Sequence, residues 1–193
     1  LSPTQYMGVL NDLIDAGAGD PTQKVDAIQG NGTDWQDQIY RTAPIQNHGL
    51  SFSGGSEKLS YFSSLNYFGQ DGLVKGSGMQ RYNARVNINY NDSKKLKFGI
   101  NISNSFIADD YASTGTGINE NGGAIYAAVN FDPTLLPYDA NGNFTQSGFI
   151  NIDNPLSILA GEKAKGENFR FIGNAFLEYF ITPELSSKIQ VGG

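Results

Sequence analysis

The chain has no cysteine and a single histidine in 193 residues. Neither a disulfide framework nor a thiolate metal site can be built from it. A zinc site is nearly excluded as well, because such sites draw their ligands mainly from Cys and His. Charge is scarce: 17% of residues are Asp, Glu, Lys or Arg, against roughly a quarter in ordinary soluble domains. The balance is −6 and there is no basic stripe to neutralise phosphates, so nucleic acid is not an expected partner. Long apolar runs are missing too. The longest unbroken one is Ala124 to Val129, far short of the ~20 residues that a membrane helix needs. Leu1 opens the chain without a Met, a basic segment or an apolar leader, so the expectation is a piece of a longer protein.

Gly, Asn, Ser and Tyr fill the space, with 24 Gly and 12% aromatic residues. That mixture suits β-structure with polar, uncharged surfaces. The first forty residues read as helix and loop. Ser2-Pro3-Thr4-Gln5 is a helix start with a capping box, Tyr6, Val9, Leu10 and Leu13 follow at helical spacing, and Gly17 is a stop. A second short helix is expected after Thr33, with Gln36 at its third position and Trp35, Ile39 and Tyr40 as apolar contacts.

From about Gln46 the period becomes two. Tyr82, Ala84, Val86, Ile88 and Tyr90 fall on one side of a strand, and Arg81, Asn83, Arg85, Asn87 and Asn89 on the other. Leu96, Phe98, Ile100 and Ile102 repeat the pattern, as do Leu50 and Phe52. So do Phe169, Phe171, Ala175, Leu177, Tyr179 and Ile181, although Ile172 and Phe176 break the polar side. The run from Leu59 to Phe68 is strand, but aromatics on both faces leave it unoriented. The connections are Gly54–Glu57, about 69–79, Asn91–Lys94, about 108–165 and Thr182–Glu184. Tight turns at one end and long loops at the other are the habit of a transmembrane barrel, with short periplasmic turns and long extracellular loops. The alternation by itself fits a half-exposed soluble sheet equally well. In the barrel the apolar rows face lipid, and Arg81, Asn83, Arg85, Asn87 and Asn89 face a wet lumen.

The residues themselves then carry a resemblance. Gly32-Thr33-Asp34-Trp35-Gln36-Asp37, the run Gln46 to Lys58, Tyr61-Phe62, Gly72-Leu73-Val74-Lys75-Gly76-Ser77-Gly78-Met79-Gln80-Arg81-Tyr82, and the loop elements Pro133-Thr134, Pro137-Tyr138-Asp139 and Asn141-Gly142-Asn143 resemble SusC/RagA-like TonB-linked outer-membrane transporters. The resemblance implies an all-β fold: an antiparallel transmembrane β-barrel segment of about six strands, with long extracellular loops and short loop helices. Residues 1–45 become an extracellular helical loop, 46–107 four barrel strands, 108–165 a large extracellular loop, and 166–193 two further strands, the last truncated. The parent barrel has about 22 strands and a plugged lumen, so six strands leave open edges that need partners. It also implies a SusD-like surface lipoprotein, TonB acting through an absent upstream segment, an oligosaccharide or peptide substrate, outer-membrane lipid around the wall, and a bacterial outer-membrane location.

No residues suggest catalysis. His48 lacks a nucleophile and an orienting acid, and it reads as a structural polar residue. Asp139 to Asn143 has Gly at the fourth place and Ile150 at the twelfth, which is not an EF-hand. It reads as a turn with Asn141-Gly142 at its tip. Gly115 to Glu120 lacks the third glycine of a dinucleotide fingerprint, so no cofactor is expected, and no metal. Asp153, Glu162 and Glu167 form no acid pair. Tyr111, Tyr126, Phe131 and Tyr138 are the candidate substrate-binding aromatics, with flat faces for sugar rings or peptide side chains. The alternative is that Tyr126, Ala127 and Val129 are the buried side of a short loop helix. A rival for the whole chain is a self-contained secreted β-rich carbohydrate-binding or adhesion module, whose apolar strand faces would be buried against a second sheet.

Overall fold

The computed structural model describes residues 1–193 except 93–94, 115–121, 149–150 and 162. Ser93 and Lys94 of the third connection, the Gly115–Glu120 run, Ile150 and Glu162 therefore lie outside the described residues. The chain divides into two compact units: residues 1–42, 72–77 and 111–164 form one, and 43–71, 78–110 and 165–193 the other.

The first unit is helical. Its α1 spans Pro3–Asp15, and the capping box is formed: Ser2 Oγ accepts from the Gln5 amide, and Gln5 Oε1 accepts from the Ser2 amide. The chain leaves this helix through Gly17 at φ 80°, a left-handed conformation that Gly adopts without strain. The second helix, α2, spans Trp35–Ile39, but its cap is Asp34 and not Thr33. The Asp34 carboxylate accepts from the amides of Gln36 and Asp37, while the Thr33 hydroxyl is committed elsewhere, donating to the Leu135 carbonyl. Two further short helices, α3 (Ala124–Asn130) and α4 (Pro155–Gly161), pack with α2. Trp35, Ile39, Ala128 and Phe131 are the centre of this core.

The second unit is a six-stranded sheet whose strands lie in chain order: β1 (Ile45–Gly55), β2 (Leu59–Asp71), β3 (Gly78–Asp92), β4 (Leu96–Ala112), β5 (Lys163–Thr182) and β6 (Leu185–Gly192). The strands from β2 to β5 have 13, 15, 17 and 20 residues, all longer than the 9–11 that a tilted membrane crossing takes. The four-strand stretch runs from 45 to 112, beyond the expected 46–107, because Ala108, Asp109 and Asp110 still pair with Gln80, Met79 and Gly78. In the sequence those two aspartates look like the start of a loop. At the far side of the long connection, β5 begins at Lys163 instead of 166. Between β4 and β5, the Asn101 amide donates to Asn174 Oδ1, the Phe180 amide to the Lys95 carbonyl, and Lys165 pairs with Asp110. These contacts step in opposite directions along the two strands, as antiparallel pairing requires.

Candidate functional site

The register sorts every strand residue to a face. Directly opposed residues of an antiparallel pair point to the same side. The row Tyr82, Ala84, Val86, Ile88 and Tyr90 therefore shares its side with Tyr67, Leu65, Ser63, Tyr61 and Leu59 of β2, and with Phe106, Asn104, Ile102, Ile100 and Phe98 of β4. His48, Leu50 and Phe52 extend it on β1. This orients β2, which the sequence alone left open: Tyr61 and Leu65 belong to the apolar side, Phe62 and Phe68 to the polar one. The whole apolar side is uncovered. Leu50, Phe52, Leu65, Phe169, Phe171, Leu177 and Ile189 are all exposed, and among the described residues every buried hydrophobic one lies in the helical unit. A soluble sheet would have this face packed against another layer. Here the sheet unit has no second layer among the described residues.

Two aromatic belts bound the apolar face. At one end His48, Tyr67, Tyr82 and Phe106 stand opposite one another across four strands, with ring centroids 6.2, 5.0 and 6.4 Å apart in turn. At the other, Tyr90 and Phe98 stack at 5.2 Å. From Tyr82 to Tyr90 a strand rises about 27 Å, or about 20 Å of height at the ~40° tilt of membrane barrels, near their ~25 Å apolar band. His48 thus completes a girdle, held by the Tyr67 ring and close to Gln46.

The opposite face is polar. Asn66 donates to Asn47, and Asn83 reaches Asn66, linking β1 to β3; Asn101 donates to Asn174 across β4 and β5. Three of the aromatics that interrupt this face carry cations. Arg81 lies over Phe68 at 5.2 Å, Lys97 over Phe180 at 4.9 Å and Lys188 over Phe176 at 4.7 Å, a favourable placement on the ring quadrupole. Phe176 also fills the space above Gly99. Ile172 has no comparable explanation. Arg81, Asn83, Arg85, Asn87 and Asn89 share this polar side of the sheet, and continuing the β4–β5 step from Asn101 and Asn174 adds Arg170 to them.

The loop aromatics are dispersed. Phe131 is 3% exposed and packs edge-on against Trp35 at 4.8 Å, so it is core. The alternative reading of α3 holds for the short helix and for Ala127 only: Ala124, Ala127 and Ala128 are its buried stripe, whereas Tyr126 is 46% and Val129 62% exposed. Tyr111 and Tyr138 are exposed too. Tyr138 lies against Phe144 at 5.3 Å across a short antiparallel bridge. That bridge closes the 139–143 turn, where Asp139 Oδ1 accepts from the Asn141 and Asn143 amides and Gly142 takes φ 84°. Those bonds, the Asn143 amide first, hold the Asp139 carboxyl below the ordinary carboxylate range. Among the described residues no three acidic or His groups gather as a metal site.

Several structural residues gave little signal in the sequence. Gly32, at φ 70° with Pro133 O within 2.4 Å of where a Cβ would stand, lets residues 29–35 strap onto 132–135. The strap is made by the Gln29 and Thr33 amides and Trp35 Nε1, which donate to the carbonyls of Thr134, Pro133 and Asp132. Asn154 is fully buried, donating to the carbonyls of Pro137 and Thr145 while its Oδ1 accepts the Leu156 amide at the start of α4. Lys75, within the Gly72–Tyr82 motif, donates to the carbonyls of Asp37 and Gln38 at the end of α2.

Comparison with known proteins decides the family. No family model matches the chain. The TonB-dependent receptor SusC of Bacteroides thetaiotaomicron is 35% identical over a 221-residue alignment that covers the whole chain and 20% of SusC. TonB-dependent receptor P3 of Formosa agariphila is 35% identical over 171 residues, 86% of the chain and 17% of that receptor. This chain belongs to the SusC/RagA-like TonB-dependent receptors. Among solved structures, the RagAB peptide importer in its closed-closed state superposes with a TM-score of 0.68 at 23% identity, over 96% of this chain and 24% of that one. Its open-open state gives 0.63 at 25% identity over 86% and 19%. The chain spans about a fifth of the length of these curated relatives. As a segment of a SusC/RagA-like receptor, the sheet is antiparallel β-barrel wall in the bacterial outer membrane. By name its relatives are receptors and importers, a non-enzymatic role.

Proposed function

We propose that this chain is part of the wall and outer loops of a transporter that draws oligosaccharides or peptides across the outer membrane. The carrying observation is the division of one sheet into an exposed apolar face, bounded by aromatic belts, and a polar face of Arg, Asn and Ser. Such a wall separates lipid from a watery interior. Residues 1–45 and 108–165 are then extracellular, because the tight turns at 56–58 and 183–184 belong to the periplasmic end. A SusD-like lipoprotein works with these loops, TonB supplies the energy through a segment outside this sequence, and no catalytic step is assigned. The family membership supports this reading, and so does the likeness to an importer of peptides.

The exposed Tyr111, Tyr126 and Tyr138 are retained as contacts for cargo or for the lipoprotein, and Phe131 is withdrawn. The test is removal of residues 113–154 from the full-length protein, with uptake and lipoprotein association measured in cells. Both fall if the loop forms that surface. Unchanged uptake together with unchanged association would contradict the assignment.

A further inference from the structure

The polar face of the sheet has a charge balance unlike that of the whole chain. Its strand residues include Arg81, Arg85, Lys97, Arg170 and Lys188 against Asp109 and Glu178, while the chain sums to −6. The two lysines are already engaged: both lie over phenyl rings, and Lys188 stands opposite Glu178. The arginines differ. Arg81, Arg85 and Arg170 line one hollow of about 700 Å³ on β2 to β5, together with Ser64, Ser103 and Ser105.

Phe68 beneath Arg81 fixes that guanidinium, and its Nε is enclosed without a hydrogen-bond partner among the described residues. Arg85 stands between Ser64 and Ser103 in register. Continuing the β4–β5 step from Asn101 and Asn174 puts Arg170 beside Ser105. None of the three arginines forms an ion pair or hydrogen bond among the described residues, and Asp109 is the one acid on the hollow's lining. Three like charges grouped around donor hydroxyls repel one another unless an anion joins them. The planar guanidinium fork matches a carboxylate with two parallel hydrogen bonds.

We infer that this hollow is a carboxylate-binding subsite of the inner wall. The inference rests on the import reading for the placement of this face toward the lumen. The carboxylate has two sources with the same chemistry: an acidic group on the cargo, or an acidic side chain of the full-length protein packed against the wall.

The experiment uses the full-length transporter purified in detergent, as wild type and as Arg85→Gln/Arg170→Gln. Neither residue forms an ion pair or hydrogen bond among the described residues, so the pair is removed without breaking one there. Tri-glutamate and tri-glutamine are the probes, titrated calorimetrically at low salt, and the heat-shifted gel band reports folding and stability. The expected result is preference for tri-glutamate and a loss of at least about tenfold in its affinity in the variant, with tri-glutamine unaffected; charge-assisted hydrogen bonds are worth that much. Unchanged tri-glutamate binding with a melting midpoint several degrees lower would assign the carboxylate to the protein itself and uphold the subsite. Unchanged binding with unchanged stability overturns it. A wild-type protein with no heat-shifted membrane band would instead remove the import reading beneath it.

Discussion

Gly99 has no side chain because Phe176 occupies its place. A Cβ built there lies 2.3 Å from Phe176 Cε1 and 2.9 Å from Asn89 Oδ1, and Lys188 lies over the same ring. Gly99→Val should therefore destabilise the wall by about 1–3 kcal/mol, the usual cost of overpacking, read as a lower melting temperature of the heat-shifted gel band. Phe176→Ala in the same protein should restore part of it. The Gly99–Phe176 contact also shows why the alternation on β5 looked imperfect: an aromatic on the polar side is invisible to a one-strand pattern when its partner sits on another strand. At Asp139 the stabilisation is electrostatic. Its folded carboxyl titrates below the ordinary 3.8, first because the Asn143 amide donates to the charged form. The turn's contribution is thus present above the unfolded value and lost as pH falls through the lower folded value. The protection of the Asn143 amide against exchange, relative to an unstructured peptide at the same pH, should fall over that acid window, and Asp139→Asn should remove the pH dependence of that protection. The turn itself was legible from Asn141-Gly142.

At the scale of elements, β3 shows the two environments most clearly. Val86 lies midway between the aromatic belts, on the exposed apolar row, and Asn87 is its neighbour on the polar face. Val86→Arg should cost roughly 2–4 kcal/mol, Ala108→Arg beyond the belt ~0–1 kcal/mol, as depth in the bilayer dictates. Asn87→Arg should cost little, since its face is wet; urea unfolding in lipid vesicles would compare the three. An equal cost at Val86 and Ala108 would argue against lipid on that side. The helical unit makes a different prediction. Trp35 is 2% exposed, bonded to the Asp132 carbonyl at 2.8 Å and seated against Phe131. Trp35→Ala should cost about 3–5 kcal/mol, seen as protease sensitivity within the 113–154 loop while the heat-shifted band persists. Local sequence carried α1 with its capping box and carried the alternating strands. It did not carry the choice of Asp34 over Thr33 as a cap, since Thr33 is claimed by Leu135, far along the chain. Nor did it show that Phe131 is core, because the ring's partner Trp35 is equally distant in sequence.

For the whole molecule, the central claim is that one face of the sheet meets lipid and the other a watery lumen. The period of two and the lengths of the connections made the barrel legible, and the motifs from Gly32 to Tyr82 made the family so. The arginine hollow was not legible, because it depends on which strands bring Arg81, Arg85 and Arg170 together, and a single strand's pattern cannot show that. The direct measurement is on the native source: a gel of the outer-membrane fraction, probed for this sequence, with and without boiling. The account predicts a band far larger than 20.8 kDa, confined to membranes and shifting on heating. A soluble band near 21 kDa that does not shift would contradict it.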